Sequence, residues 1–502
     1  MLRLLQTLYP AIAFGAALSF LPTASWASEL RLRIKTEPAT LDWHLAHTSV
    51  ETHFLNNLME GLFELDEKLE PKPALIEKWS VSNDRMTYSF ELRKGVLWSD
   101  GKALKSDDVL YAWTRLCDPR TGSTYQRFLE VVAGCDRGGK LAFKRLSDTA
   151  FEVRLRAPAD DFLQRLCFWA TFPMRSGSLS KVTLGPFRLE KWEKGRALVL
   201  ARNEKYYRAP EFFSSETPTR AVWTVTPDDL EARTKLQRGD FDAFLNATTD
   251  DLVKPPEGMS TATFPYLATQ YLAFNFRIPL LQDRRIRVAI ASGIEPEKLS
   301  SELRGGQTPA TGFVHPEISR RMGRTAPSRT RVSTLEAQKS LALAGYPEGE
   351  GLRRLRLGLT PFDGSDRMRQ ALTEQLHERL GIEIVVDVQP IERLTTALRE
   401  KGLDLVVLQW GADVPTPQDF LSVFSGKSPT NRIAWRNADY DQALSARRWS
   451  DAEKILVEDE IAIVPLLHPR NVALIRPETK GLTLTPLNYL YLRTVKKLST
   501  SP

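Results

Sequence analysis

The chain has 502 residues, 42% hydrophobic and 26% charged, with 69 Lys and Arg against 62 Asp and Glu. This is the composition of an ordinary globular protein, long enough for roughly two to four domains with ample core. The basic excess is small for this length, and neither Arg320-Arg321 nor Arg353-Arg354 joins stacking aromatics or a known motif, so a nucleic-acid partner is not indicated.

Residues 1–27 read as a targeting segment. Arg3 gives a positive start, residues 8–21 are mostly apolar, and Ser25 and Ala27 are the small residues of a cleavage site after about Ala27. Pro10 and Pro22 bracket a run too short for the roughly 20 apolar residues of a membrane span. The mature protein is therefore expected to be exported, with no membrane-spanning segment.

Residues 30–35 alternate apolar and basic, predicting a strand. Val50, Phe54, Leu55, Leu58, Met59 and Leu62 recur at helical spacing, predicting a helix over 48–63 with Gly61 near its end. His44, His47 and His53 read as surface or turn histidines, since no convergent acid makes them a metal set. Residues 87–92 alternate as a strand. A turn with an exposed Trp98 follows, marked by Ser99-Asp100-Gly101. Ser106 is expected to cap a helix with Asp107 and Asp108 in its first turn. Residues 151–155 alternate again, so about 63–173 reads as an α+β insertion. Of Cys117, Cys135 and Cys167 at least one must stay unpaired within the chain. Cys117 and Cys135 are able to close a loop in an oxidising compartment, and their spacing leaves that open.

Gly185-Pro186-Phe187 feeds a strand, and further strands are predicted over 197–201, 221–225, 241–245 and 266–276, with a helix from Asp228 to Arg238 stopped by Gly239. From Asp283 helices alternate with strands at 355–359, 382–388 and 403–408, which argues a parallel sheet with crossover helices. A helix over 451–459, a strand over 462–467 and a closing strand region over 483–495 complete the chain. The run 403–408, broken only by Asp404, predicts a strand buried on both faces. It ends in Gln409-Trp410-Gly411-Ala412-Asp413, and open α/β sheets place ligands past the carboxyl ends of such strands. Asp413 stands either as the partner of a ligand's positive end or as a turn acid ahead of a proline.

No nucleophile elbow, zinc-protease motif, phosphate loop or dinucleotide fingerprint occurs. Six histidines leave few general bases. No catalytic residue, metal site or cofactor is assigned.

Several segments together carry a resemblance: YSFELRKGVLWSDG from Tyr88 to Gly101, Asn203-Glu204-Lys205-Tyr206-Tyr207, Arg285-Ile286-Arg287-Val288-Ala289 and Gly411-Ala412-Asp413. Over nearly the whole mature chain the sequence resembles the family 5 extracellular solute-binding proteins, the oligopeptide- and dipeptide-binding components of ABC importers. The resemblance implies an α/β, two-lobed periplasmic binding protein (type II-like, cluster C) with an extra α+β domain inserted in lobe one. Lobe one maps to 28–59, 175–270 and 470–502, the inserted domain to 60–174 and lobe two to 271–469. It also implies a periplasmic monomer that captures a peptide or peptide-like solute between closing lobes and delivers it to an inner-membrane ABC permease. Peptides would be held as an added strand by His47, Thr48 and Ser49 in lobe one and Gln409, Trp410 and Gly411 in lobe two. Asp413 would pair with the α-ammonium, and Tyr125 would line the cleft from the inserted domain. The chain departs from the pattern at Val407, where oligopeptide binders can carry an arginine for the ligand carboxylate. It departs again at Val464-Pro465-Leu466-Leu467-His468-Pro469, where His468 is either carboxylate-facing or a surface histidine. The alternatives are the same fold binding a metal chelate, sugar or opine, an exported hydrolase, and a receptor that signals through a membrane partner.

Overall fold

Three sheets organise the computed structural model, which describes residues 28–135, 140–179, 181–245, 247–321, 323 and 332–498. The targeting segment expected over 1–27 lies outside the described residues. Among these residues a seven-stranded sheet runs in the order Ser260–Pro265, Arg470–Ile475, Ala243–Phe244, Glu29–Ile34, Arg220–Val225, Ala197–Arg202, Phe187–Glu193. Glu29–Ile34 and Arg220–Val225 are parallel, with Leu30 opposite Ala221. A six-stranded sheet runs Thr308–Pro309, Ile463–His468, Ala268–Phe274, Leu405–Gly411, Leu355–Leu359, Ile384–Val388. Ile76–Val81, Thr87–Leu92, Ala150–Arg154 and Phe143–Arg145 form a four-stranded antiparallel sheet. Two short links join the larger sheets directly: Tyr266-Leu267 between Ser260–Pro265 and Ala268–Phe274, and Pro469 between Ile463–His468 and Arg470–Ile475.

The strand–helix alternation produces the parallel trio expected of it, Leu355–Leu359 with Ile384–Val388 and Leu405–Gly411, crossed by the helices Ser365–Leu380 and Ile391–Arg399. Ala268–Phe274 and Ile463–His468 join antiparallel, so the whole sheet is mixed. Successive strand side chains point to opposite faces. Leu405 and Val407 therefore enter one apolar cluster, beside Leu357 and Leu372, while Val406 and Leu408 enter the other, beside Tyr271 and Phe420. All four are buried, which is worth roughly 1.5–3 kcal/mol each. The interrupting Asp404 is buried too. It takes two N–H groups of Arg353 at 2.8 and 2.5 Å and the backbone N–H of Arg356 at 2.8 Å.

Four local expectations are corrected. The first helix is Ser49–Leu58, shorter than 48–63, because Gly185 packs on its end: the Gly185 N–H donates to Leu58 O at 2.9 Å. A β-carbon at Gly185 would sit 2.6 Å from Asn57 O. Trp98 is buried, its indole N–H donating to Asp108 Oδ2 at 3.1 Å. His44 is buried, its Nδ1 accepting from Arg115 at 2.8 Å. Residues 483–495 form an isolated bridge, Leu484 to Leu490, and a 3-10 turn, Leu492–Thr494, rather than a strand. Their backbone is spent on Asn57, which donates to Leu490 O at 2.8 Å and accepts from Leu492 N–H at 2.8 Å.

Cys117 and Cys135 form a disulfide with Cα atoms 5.0 Å apart, and Cys167 is free and buried. Among the described residues no helix is long and apolar enough to cross a membrane.

Candidate ligand-binding site

The turn that follows Leu405–Gly411 gathers charge around Asp413. Pro417–Leu421 starts a short helix immediately afterwards and turns Asp419 back toward the strand end. Asp419 Oδ2 accepts the backbone N–H of Asp413 at 3.0 Å and the indole N–H of Trp410 at 3.2 Å. The positive partner expected for Asp413 is present, and it belongs to the chain itself: the guanidinium of Arg127 pairs with Asp413 Oδ2. Arg127 sits in the 3-10 turn Gln126–Phe128, with its guanidinium carbon 4.8 Å from the Phe128 ring centre and 5.4 Å from that of Tyr125.

Burial and like charge shape the electrostatics. Burial raises the Asp413 pKa, and the charge of Arg127 opposes that shift. Burial first, and the charge of Asp413 second, push Asp419 up to about 7. Tyr125, Tyr266 and Tyr489 are all raised, mainly by burial and then by the negative charge of Asp413. Three phenols therefore lie within electrostatic reach of this one carboxylate. Gly411 leaves room for Tyr266: a β-carbon there would fall 2.4 Å from the phenol oxygen and make the ring shift.

A cavity of about 550 Å³ opens beside this cluster. Thr124, Arg127, Phe128 and Arg165 form one wall, and Trp410, Asp419, Ser422 and Lys427 form the other. The strand Leu405–Gly411 contributes a further feature. On one side Gln409, Trp410 and Gly411 pair with Gln270, Thr269 and Ala268. On the other side Leu355–Leu359 pairs only as far as Val407. Among the described residues the second edge of Gln409–Gly411 is paired with no strand, and Gln409 is exposed.

The structure brings Asp413, Trp410, Gly411, Gln409 and Tyr125 together. His47, Thr48 and Ser49 are exposed at the start of the first helix. The Glu51 carboxylate takes the N–H groups of His47 at 2.7 Å and Thr48 at 2.8 Å, so those two donors are turned inward. His468 is not a surface histidine. It is 3% exposed, and burial lowers its pKa to about 4. Its Nδ1–H faces Ala268 O at 3.2 Å and Thr269 Oγ1 at 3.1 Å, while Nε2 has no partner. Val407 is buried in the helix-covered core.

Sequence reasoning missed Arg127, Asp419, Tyr266 and Tyr489. Arg127 stands two residues from the expected Tyr125, and Asp419 lies in the amphipathic segment after the turn, so proximity to named residues was their signal. Tyr489 had none, because only the folded chain brings it there.

A sequence model of bacterial extracellular solute-binding proteins, family 5 Middle, matches residues 70–432. The probable deoxycholate-binding periplasmic protein YgiS of Escherichia coli K12 is 24% identical over 493 residues, covering 91% of each chain. The periplasmic oligopeptide-binding protein OppA of the same strain is 26% identical over 501 residues, covering 91% of this chain and 90% of the relative. The solved structure of the Escherichia coli murein tripeptide binding protein MppA superposes with a TM-score of 0.80 at 24% identity, over 95% of this chain and 99% of that one. The fold is therefore that of a two-lobed periplasmic binding protein.

Proposed function

The chain belongs to the family 5 bacterial extracellular solute-binding proteins, and from that premise we propose that it captures a peptide or peptide-like solute between two lobes and hands it to an inner-membrane ABC importer. The observation that carries the reading is the unpaired edge of Gln409–Gly411 beside the 550 Å³ cavity. An extended peptide adds to such an edge through main-chain hydrogen bonds, and so binds with little regard to its side chains. Similarity to OppA supports the same ligand class.

In this reading the ligand's inward end lies at the Arg127–Asp413 pair, with Trp410, Gly411, Gln409 and Tyr125 around it. His47, Thr48 and Ser49 face it from lobe one. His468 acts through the backbone it holds, since its Nδ1 is engaged with Ala268 and Thr269. The proposed division is lobe one over 28–59, 175–270 and 470–502, the inserted domain over 60–174, and lobe two over 271–469; three separate sheets support three bodies, although the strand Ala268–Phe274 crosses the boundary at 270. The protein acts as a periplasmic monomer, exported with its first 27 residues removed, and binds without turnover. Its relatives are binding proteins, which supports that assignment.

A second reading, a non-peptide solute in the same cleft, is favoured by the name of YgiS, a probable deoxycholate-binding protein. Native mass spectrometry of the purified mature protein, followed by denaturing release, separates the two. A ladder of mixed short peptides is the expected result. A single non-peptide species, or an empty protein whose melting no peptide pool shifts, rejects the peptide reading.

A further inference from the structure

We propose that Arg127 is the specificity-determining residue of this site: it fills the cation position beside Asp413 with the chain's own guanidinium, so the cleft selects solutes whose inward end offers an oxygen acceptor and carries no free ammonium. The proposal rests on the peptide reading above and specifies the end group.

The guanidinium is held by more than its acid. It lies over the Phe128 and Tyr125 rings at 4.8 and 5.4 Å, and its Nη1 is 3.4 Å from Thr124 O. Its main chain is pinned as well, because Arg127 O accepts from Arg165 Nη1 at 2.9 Å, and Arg165 Nε bonds Asp161 at 2.9 Å. An ammonium approaching Asp413 meets like charge at contact distance. To reach the carboxylate it must expel the guanidinium from an aromatic bed, leaving a part-buried cation without its partner.

The other groups on the cavity wall do not offer an easier berth. Asp161 pairs with Arg165, and Asp419 already accepts from Trp410 and from the Asp413 backbone. Glu130 lines the same cavity, which also holds three cations, Arg127, Arg165 and Lys427. An oxygen acceptor needs no displacement. A guanidinium carries five N–H donors in a fixed fork, and the two contacts of Arg127 to Asp413 and Thr124 O leave donors for an incoming carbonyl or carboxylate.

The test is calorimetric titration of the mature protein, stripped of bound solute, with one tripeptide pool prepared as free amines, N-acetyl amides and N-succinyl acids. Wild type is expected to bind the blocked forms at least about tenfold tighter than the free amines, or about 1.4 kcal/mol. The two blocked forms distinguish an amide end from a carboxylate end. Arg127→Ser is expected to reverse the order, and Arg127→Lys to keep the amine excluded. Asp413→Asn, which frees the guanidinium and preserves shape, tightens the succinyl form and decides the matter if Arg127→Ser does not fold. Free amines bound as tightly as blocked forms by wild type overturn the inference and leave the peptide reading standing, as does an unchanged succinyl affinity in Asp413→Asn. Failure of every form to bind every variant overturns the peptide reading and this inference together.

Discussion

Asp413 and Asp419 share one buried turn, and a single backbone N–H joins them. Two carboxylates this close cannot both ionise cheaply, and Arg127 pairs with Asp413, so the extra proton resides on Asp419. The sign of the stability effect follows. With its folded pKa raised to about 7 from an ordinary value near 3.8, Asp419 binds more protons folded than unfolded across that window, and its contribution declines as pH rises through it. Asp419→Asn keeps an oxygen for the Asp413 N–H and removes the titration. The melting temperature of this variant should gain on wild type between pH 5 and pH 7, by the equivalent of up to about 2 kcal/mol. A pH series of thermal melts checks it, and a constant difference would contradict it. At this scale the sequence showed half the site. Asp413 was legible from its place after an apolar strand. Its partner, 286 residues away, was not, because no local pattern encodes a pairing made between separate bodies of the fold.

The strand Leu405–Gly411 was legible for a related reason: a short run apolar on both faces has few places to go except the middle of a sheet. The region 483–495 shows the limit of that logic. It alternates like a strand, yet its backbone groups go to Asn57 instead of a neighbouring strand, and polar satisfaction outweighs periodicity. Trp98 and His44 were misjudged because a partner on another element, Asp108 or Arg115, makes burial of a polar tip affordable. The disulfide has a direct consequence at the same scale. Cys117 and Cys135, 18 residues apart, tie the end of the helix Ser106–Cys117 to the loop beyond Tyr125 and Arg127. Loop-closure entropy for a ring of this size is about 3 kcal/mol. Cys117→Ser with Cys135→Ser should lower stability by about that amount in denaturant titrations. The same variant should weaken ligand binding, since the segment between the cysteines carries Arg127. A variant of unchanged stability would assign the disulfide no bracing role.

Over the whole molecule, acid is predicted to act through histidines. His44 and His468 are buried, and burial lowers their pKa values to about 3 and about 4, with the Arg115 charge adding to the effect at His44. Below the unfolded value of about 6.5 the unfolded chain binds protons that these folded side chains refuse. Stability should therefore decline as pH falls from about 6.5 toward 4, by up to about 2 kcal/mol per histidine at pH 5. His468→Gln should flatten its share of that decline in thermal melts between pH 7 and pH 4.5.

The paired links between the larger sheets also determine where movement is felt. With Tyr266-Leu267 and Pro469 as the direct strand-to-strand links among the described residues, rotation about the line through the two links is a soft motion for the sheets. The turn bearing Asp413 is fastened to that line, for the Ala412 N–H donates to Leu267 O at 2.8 Å. A pivot barely moves while the rim of a lever sweeps widely. In the proposed binding mode the inward end of a bound solute is gripped at the pivot with nearly constant geometry, while its far end lies where the arc is longest, so chain length would be sorted at the rim and end-group chemistry at the axle.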